Sequence, residues 1–301
     1  MKLGVSATAM VDDRTGTVPN PADIACHVED LGLDSFWVSD HLAWDTPIID
    51  SVVALATAAA VTETVDIGFS VLQLALRSLA LVAKQIGSLQ VVSGDRLQLG
   101  IGVGGHPVDE WIAAGSSLQD RGRRTDKALD ALPDLLAGRR TELPDVHAPI
   151  RLTPAAVMPP VWIGGDSSAA LARVAATSAG WLPAAQTPDA VAHGARTVAD
   201  TVGTKPPLAV SLFGTLNEHH GGMSHGALVD LCVSGFGFSR ERAEAVTLGG
   251  SPTEVATSIA AYADIGVEHV IVVPFGPDWQ HQCELLAEAR AELNAAGATL
   301  L

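Results

Sequence analysis

The sequence predicts an α/β protein whose eight parallel strands and crossover helices form one (β/α)8 barrel. Eight short apolar or β-branched runs are each followed by a longer Ala- and Leu-rich segment with helical spacing. This alternation is typical of parallel strands joined by crossover helices. Of the 301 residues, 48% are hydrophobic and 17% are charged, which suffices for the single core of an ordinary barrel. We therefore expect residues 1–301 to form one domain.

The strands are expected in the apolar runs, in this order: Leu3–Thr8, Ser35–Ser39, Val65–Val71, Arg96–Val103, Val161–Gly164, Gly180–Pro183, Leu208–Gly214 and His269–Pro274. The helices are expected between them, in this order: Pro21–Leu31, Ser51–Thr62, Leu79–Val92, Arg121–Ala137, Ser167–Ser178, Pro188–Val202, Arg240–Val246 and Thr253–Ile265.

Local signals support several helix ends. Pro21 and Pro188 suit the first turn of a helix, and residues 251–254 combine a serine cap candidate with a proline and an early acid. Glycines stand where three helices should stop before the next strand: Gly32, Gly94 and Gly266. Residues 138–160 and 217–238 interrupt the regular alternation of strand and helix. We therefore expect them to be insertions over the C-terminal mouth of the barrel.

The net charge and the cysteine content indicate which kinds of partner to exclude and which cellular compartment to expect. The formal net charge is −16 and there is no basic stripe, which argues against nucleic acid as a partner. Three widely spaced cysteines give neither a disulfide framework nor a metal knuckle. The longest apolar stretch is too short to span a bilayer, and no signal peptide is evident. We therefore expect a cytoplasmic protein that does not interact with membranes.

Polar residues that follow the strands are the candidate site residues, because barrels of this class place their sites at the C-terminal strand ends. Asp40, His41 and Trp44 follow the second strand directly. The structural alternative is that Asp40 caps a turn and that His41 is a packed histidine. Ser70 stands at the end of the third strand.

Two glycine-containing segments follow later strands. The segment at residues 100–105 contains Gly102 and Gly104, whose lack of a side chain lets a ligand approach the backbone. It lacks the G-x-G-x-x-G spacing before a helix, so we reject a Rossmann site. The turn Gly164-Gly165-Asp166-Ser167 opens a helix, and its backbone N–H groups make it the best phosphate candidate in the chain. The alternative is an ordinary capped helix.

The chain resembles the luciferase-like monooxygenase superfamily, which includes bacterial luciferase and oxidoreductases that depend on coenzyme F420 or FMN. The resemblance covers nearly the whole chain and lies in these segments, in this order: FWVSDHLAW, IGFSVLQLALRSLALVAKQIGSLQVVSGDRLQLGIGVGG, RGRRTDKALD, PPVWIGGDS, AGWLP and GGSPTEVATSIAAYADIGVEHVIVVP. It implies a flavin or deazaflavin at the C-terminal strand ends and a homodimer formed through the second and third helices.

The resemblance also implies roles for individual residues. Asp40, His41 and Trp44 would lie beside the deazaflavin ring, with His41 as proton donor or electrostatic support. Ser70-Val71 matches a position where the family often has a non-proline cis peptide bond behind the ring. Further cofactor contacts would come from the glycines of the fourth strand and from the phosphate turn: Gly102, Gly104, Gly164, Gly165, Asp166 and Ser167.

The residue that faces the substrate is left open among Asp109, Glu110, Trp111 and His106, which all follow the fourth strand. The family usually places an acidic or amide residue after the fourth strand, and Asp109 stands at the common separation while Glu110 follows it. His106 has no firm counterpart in the family. Arg77 stands where an aromatic residue and histidine are common, and a role as phosphate or substrate anchor is open.

The expected function is hydride transfer between coenzyme F420 and a small organic substrate. F420 is favoured over FMN because the Asp-His-x-x-Trp cluster and the Ala- and Gly-rich composition look like actinobacterial F420 enzymes. The alternatives are an FMN-dependent monooxygenase and a paralogue that binds flavin or F420 without turnover. A metal-dependent barrel hydrolase is disfavoured and no metal is expected, since HHGGMSH is more often a polar loop than a ligand set.

Overall fold

A computed structural model describes residues 1–7, 16–143, 146–216, 223–276, 278–295 and 297. The strands are β1 (Lys2–Ser6), β2 (Ser35–Val38), β3 (Asp66–Gln73), β4 (Leu97–Gly102), β5 (Thr141–Leu143), β6 (Val146–Ile150), β7 (Val161–Gly164), β8 (Gly180–Leu182), β9 (Ala209–Leu216), β10 (Thr247–Gly250) and β11 (His269–Pro274).

The helices alternate with the strands. They are α1 (Pro21–Asp30), α2 (Ser51–Val61), α3 (Leu79–Val92), α4 (Val108–Ala113), α5 (Arg121–Leu136), α6 (Ser168–Thr177), α7 (Pro188–Val202), α8 (His225–Phe236), α9 (Arg240–Val246), α10 (Pro252–Asp264) and α11 (Trp279–Ala295), with a 3-10 turn at Leu74–Leu76.

Nine strands form one curled sheet in the order β10-β9-β11-β1-β2-β3-β4-β7-β8, and every pair in it is parallel. At the seam, β8 lies beside β9, where two isolated parallel bridges join Trp181 to Leu208 and Ala184 to Ser211. The predicted α/β class and parallel sheet are confirmed. A continuous ladder that closes the predicted barrel is not present.

All eight predicted strands are present, because short apolar runs buried on both faces leave a strong sequence signal. The predicted helices agree with α1, α2, α3, α5, α6, α7, α9 and α10, with small differences at their ends. The capping box at Ser251 and Glu254 is formed, and Pro21 and Pro188 open their helices. The three glycines expected to end helices have positive φ angles.

The two segments expected to be insertions contain regular structure. The first forms the antiparallel hairpin of β5 and β6, and the second contains the 12-residue helix α8. Residues 217–222 of the second segment, which include the whole HHGG run, lie outside the described residues. Neither element was predicted, because short strands and a glycine-rich helix leave weak periodicity. The short elements α4 and β10 and the 17-residue helix α11 were also not predicted.

The interior of the curled sheet is filled by large side chains. Trp37, Trp162, Leu182, Ala209 and Ile271 are buried there and Val71 packs against them. Glycines make room for the rings, since a Cβ on Gly68 would lie 2.3 Å from Trp37 and one on Gly180 would lie 2.3 Å from Trp162. The outer face of the sheet packs against the helices in a second, larger core. No described helix is both long and apolar enough to cross a bilayer.

Candidate active site at the carboxyl ends of the strands

Parallel strands end on the same rim of the sheet, so residues that follow β2, β3, β4 and β7 are brought together there. Asp40 follows β2 and is 2% exposed. Its carboxylate accepts hydrogen bonds from Nη1 and Nη2 of Arg77 at 2.5 and 2.6 Å. It also accepts from Oγ of Ser51 at 2.7 Å and from the backbone N–H of Gln73 at 3.0 Å. Four donors therefore hold Asp40 in place.

Arg77 reaches Asp40 because β3 continues into the 3-10 turn Leu74–Leu76, which bends the chain back over the end of β2. Burial opposes the charged form of the guanidinium. The hydrogen bonds that Arg77 donates to Asp40, together with the negative charges of Asp40, Asp50 and Glu110, outweigh the effect of burial and raise the pKa of Arg77 above its ordinary value. Arg77 thus compensates a buried carboxylate, the arrangement that buried charge requires.

His41 faces Glu110 from the next loop along the rim. Its Nδ1 lies 3.3 Å from Oε2 of Glu110, and the same oxygen accepts from the backbone N–H of Leu42 at 3.1 Å. The side chain of Glu110 is fully buried, while that of His41 is 19% exposed. The pair therefore joins an inner carboxylate to an imidazole that reaches solvent.

Gln73 connects the two charged pairs. Its Nε2 donates to the backbone carbonyl of Asp40 at 2.6 Å and to Oε1 of Glu110 at 3.0 Å. Asp40, Arg77, Gln73, Glu110 and His41 thus form one hydrogen-bonded network, which we call the rim network. Sequence reasoning missed Gln73, whose only signal is a polar residue inside the apolar run SVLQLAL.

The packing of α4 places Asp109 and Glu110 in different surroundings. Trp111 is 1% exposed and packs with Ala75 and Leu76 of the 3-10 turn. This anchor turns Glu110 inward, whereas Asp109 is exposed in the first turn of the helix. Asp109 makes no contact with the rim network among the described residues.

One aromatic ring, the indole of Trp44, packs against His41, and a second, the imidazole of His106, packs against Trp44. The indole of Trp44 lies 4.2 Å from the imidazole between ring centroids, and it meets His106 edge-on at 6.2 Å. Trp44 is 39% exposed and His106 is also exposed. His106 therefore belongs to the same surface as Trp44 and His41, a placement that the sequence did not indicate.

The Ser70-Val71 peptide bond is cis, as the resemblance predicted. The side chain of Val71 occupies the space beside two strand-end glycines, because a Cβ on Gly102 would lie 2.3 Å from it and one on Gly164 would lie 2.9 Å away. A Cβ on Gly104 would overlap Oε1 of Gln73 at 1.7 Å. Gly102 and Gly164 are thus required by Val71, and Gly104 by the rim network.

The turn after β7 is exposed. Gly165 has a φ of +98° and no atom closer than 3.5 Å to an added Cβ. Ser167 caps α6 by accepting from the backbone N–H of Ala170 at 3.2 Å, and the first turn of α6 carries no acid. Asp166 accepts from Nε2 of Gln186 at 2.7 Å. Free backbone donors and an open glycine remain for an anion, although Asp166 adds a negative charge.

No group of three or more His, Cys, Asp or Glu side chains suited to a metal ion occurs in the part of the chain that the structure describes.

Comparison with known proteins places the chain in a family. The family model described as luciferase-like monooxygenase matches residues 1–216. An uncharacterised protein of Mycobacterium tuberculosis is 37% identical over 147 residues, which are 48% of this chain and 50% of that protein. The chain thus spans about half the length of the curated relatives it matches.

Two solved structures share the fold. An F420-dependent secondary alcohol dehydrogenase in complex with an F420-acetone adduct has a TM-score of 0.79 at 15% identity, over 97% of this chain and 98% of its own. The FMN complex of the oxygenating constituent of 3,6-diketocamphane monooxygenase, from Pseudomonas putida, has a TM-score of 0.72 at 17% identity, over 95% and 96%. Since the family model covers most of the sequence, the chain belongs to the luciferase-like monooxygenase family.

Proposed function

We propose that the chain is an oxidoreductase that transfers hydride between coenzyme F420 and a small organic substrate at the rim of the curled sheet. The observation that carries the proposal is the contact between His41 and the buried Glu110. It places an acid–base side chain, held by a fixed carboxylate, where barrels of this class have their active sites.

We also infer that the β8–β9 bridges close a (β/α)8 barrel and that residues 1–301 are one domain.

The residues at the rim fit a flavin-type ring. Val71, held between Gly102 and Gly164, offers an apolar surface for one ring face, and Ser70, Gly102 and Gly104 border it. The turn formed by Gly164, Gly165, Asp166 and Ser167 would hold the phosphate through backbone donors. When bound, a deazaflavin supplies or accepts the hydride. The protein contributes binding, orientation and proton handling.

His41 handles the proton in this proposal. Glu110 accepts at Nδ1 and orients the imidazole, and no described residue makes a hydrogen bond to Nε2. Nε2 can therefore exchange a proton with a substrate oxygen or nitrogen as the hydride moves. Gln73, Asp40 and Arg77 act through Glu110 and are positioning residues. Trp44 and His106 would border the substrate, while Asp109 points away from the rim network.

A fluorescence titration of the purified protein with F420 and, in parallel, with FMN tests the cofactor. We expect F420 to bind more tightly, and reduced F420 to be oxidised by an enone or imine acceptor. Tighter FMN binding with oxygen-dependent turnover would favour the FMN monooxygenase instead. Binding without turnover across the acceptor panel would favour a non-catalytic paralogue, and no binding of either cofactor would contradict the proposal.

A homodimer remains a prediction. Helices α2 and α3 expose apolar side chains, as such an interface requires: Val53, Val61, Leu81, Val91 and Val92. Sedimentation velocity would test it, and a monomer at micromolar concentration would contradict it.

A further inference from the structure

A cavity of about 600 Å³ lies outside the rim network, between the N-terminal halves of α3 and α5. One wall is formed by the chain that leaves β3, from Leu74 to Ala80, and another by residues of α5 and of the loop before it. Its volume is in the range of sites that hold small organic ligands. The cavity is therefore large enough for more than a single inorganic ion.

The charge of this cavity is opposite to that of the protein. Four of the 18 Lys and Arg residues of the chain line it, together with one acid: Arg77, Arg123, Arg124, Lys127 and Asp120. Arg77 is neutralised by Asp40, and Arg123 pairs with Asp120 at 2.9 Å. The side chains of Arg124 and Lys127 have no hydrogen-bond or ion-pair partner among the described residues. Two uncompensated positive charges thus face one cavity of a protein whose formal charge is −16.

The positions of these side chains concentrate the charge. Lys127 lies four residues after Arg123 and three residues after Arg124, so its side chain neighbours both arginines on the surface of α5. Arg124 is half-buried, which limits screening of its charge by solvent ions. Two acids of α5 have other partners, since Asp126 pairs with Arg173 and Asp134 with Arg139. No ion pair among the described residues joins the third, Asp130, to Arg124 or Lys127.

The backbone at the other wall also offers donors. Ser78 is the N-cap of α3, but its side chain makes no capping hydrogen bond, and the first turn of the helix has no acid. The N–H groups of Leu79 and Ala80, which line the cavity, lack the partners that a helix interior provides. The positive end of the helix dipole adds to the cationic side chains.

We propose that this cavity binds an anionic small molecule through a phosphate or carboxylate group held by Arg124 and Lys127. Guanidinium and ammonium groups are the side chains that bind such oxyanions best. The site is distinct from the turn at Gly164–Ser167, since none of its lining residues comes from β7 or α6. Arg77 forms both a wall of the cavity and part of the rim network, so a bound anion would lie one side chain from Asp40.

Calorimetric titration with inorganic pyrophosphate at about 0.15 M salt tests the site without reference to any cofactor. We expect saturable 1:1 binding to the wild-type protein and at least tenfold weaker binding to the double variant Arg124→Gln/Lys127→Gln. The single variant Lys127→Glu changes an exposed residue and keeps the test valid if the double variant does not fold. It should also bind at least tenfold more weakly.

The matched control is the double variant Arg151→Gln/Arg196→Gln. It removes the same charge at two exposed positions that do not line the cavity, and it should bind pyrophosphate as the wild type does. Equal weakening in both double variants, or no binding to the wild type, would overturn the proposal.

A second titration identifies the source of the anionic group. If pyrophosphate competes with F420 but not with the tail-free deazaflavin chromophore, the cavity holds the anionic tail of the cofactor. If pyrophosphate binds without displacing either compound, the cavity holds an anionic substrate or effector. Both results support the site, and the direct pyrophosphate titration stands even if the proposed redox function fails.

Discussion

Two histidines at opposite ends of the parallel strands have contrasting surroundings. His269 opens β11 and is 3% exposed; its Nε2 lies 2.6 Å from Oγ of Ser35, and its ring meets Trp37 edge-on at 5.3 Å. Burial, with smaller contributions from the charges of Lys2 and the N-terminus, lowers the pKa of His269 to about 3. His41 lies beyond the carboxyl end of β2, reaches solvent and contacts Glu110.

The difference shows that the end of the sheet at which a histidine lies determines whether it can act as an acid or base. At the amino end of the sheet, His269 is surrounded by a hydroxyl and an indole, so it stays neutral and fills space. At the carboxyl end, the loops bring a carboxylate to His41 from 69 residues away. The same residue type is a packing element in one place and an acid–base candidate in the other.

The largest expected effect is a loss of turnover when His41 or its partner Glu110 is replaced. His41→Ala and Glu110→Gln should each lower kcat about 10²- to 10⁴-fold, because the proton donor is lost or no longer oriented. F420 affinity should change far less. The control His193→Ala alters an exposed histidine of α7 and should leave kcat within about twofold of wild type. A His41→Ala variant with wild-type kcat would remove His41 from the mechanism.

Next in size is the loss of stability when the buried ion pair is broken. Arg77→Ala should reduce the free energy of unfolding by about 3–5 kcal/mol, because Asp40 is left buried and uncompensated. Arg139→Ala, which breaks the exposed pair with Asp134, should cost about 1 kcal/mol or less. Urea denaturation measures both values. Equal effects would contradict the role of Arg77, and the double variant Arg77→Met/Asp40→Asn should recover part of the loss.

The smallest effect is a pH dependence that belongs to His269. Its folded pKa of about 3 lies below the ordinary value of 6.5 for histidine, so the unfolded chain binds more protons between these two pH values. Stability should therefore be complete above about pH 6.5 and fall by about 1.4 kcal/mol for each pH unit below it. Urea midpoints at pH 7 and pH 5 test this. His269→Gln should flatten the dependence, whereas His193→Gln should not, and an unchanged slope in His269→Gln would contradict the assignment.

Much of the fold was predictable because its signals are local. Eight of the strands are short apolar runs: β1, β2, β3, β4, β7, β8, β9 and β11. The capping box at Ser251 and Glu254 is encoded by four consecutive residues. Elements with weak periodicity, such as α4 and the β5–β6 hairpin, were missed. The cis bond at Ser70-Val71 was predicted from the resemblance to a family and not from the residues themselves.

Local sequence patterns predicted only part of the candidate site. The sequence by itself determined the alternation of strands and helices, and hence that Asp40, His41 and Ser70 would lie on one rim. Only the tertiary structure decided that Glu110 and not Asp109 faces His41, that Gln73 and Arg77 complete the network, and that Arg124 and Lys127 border a cavity. The physical reason is that these contacts depend on the packing of α4 through Trp111 and of α5 against the 3-10 turn, between residues too far apart in sequence for any local pattern to encode.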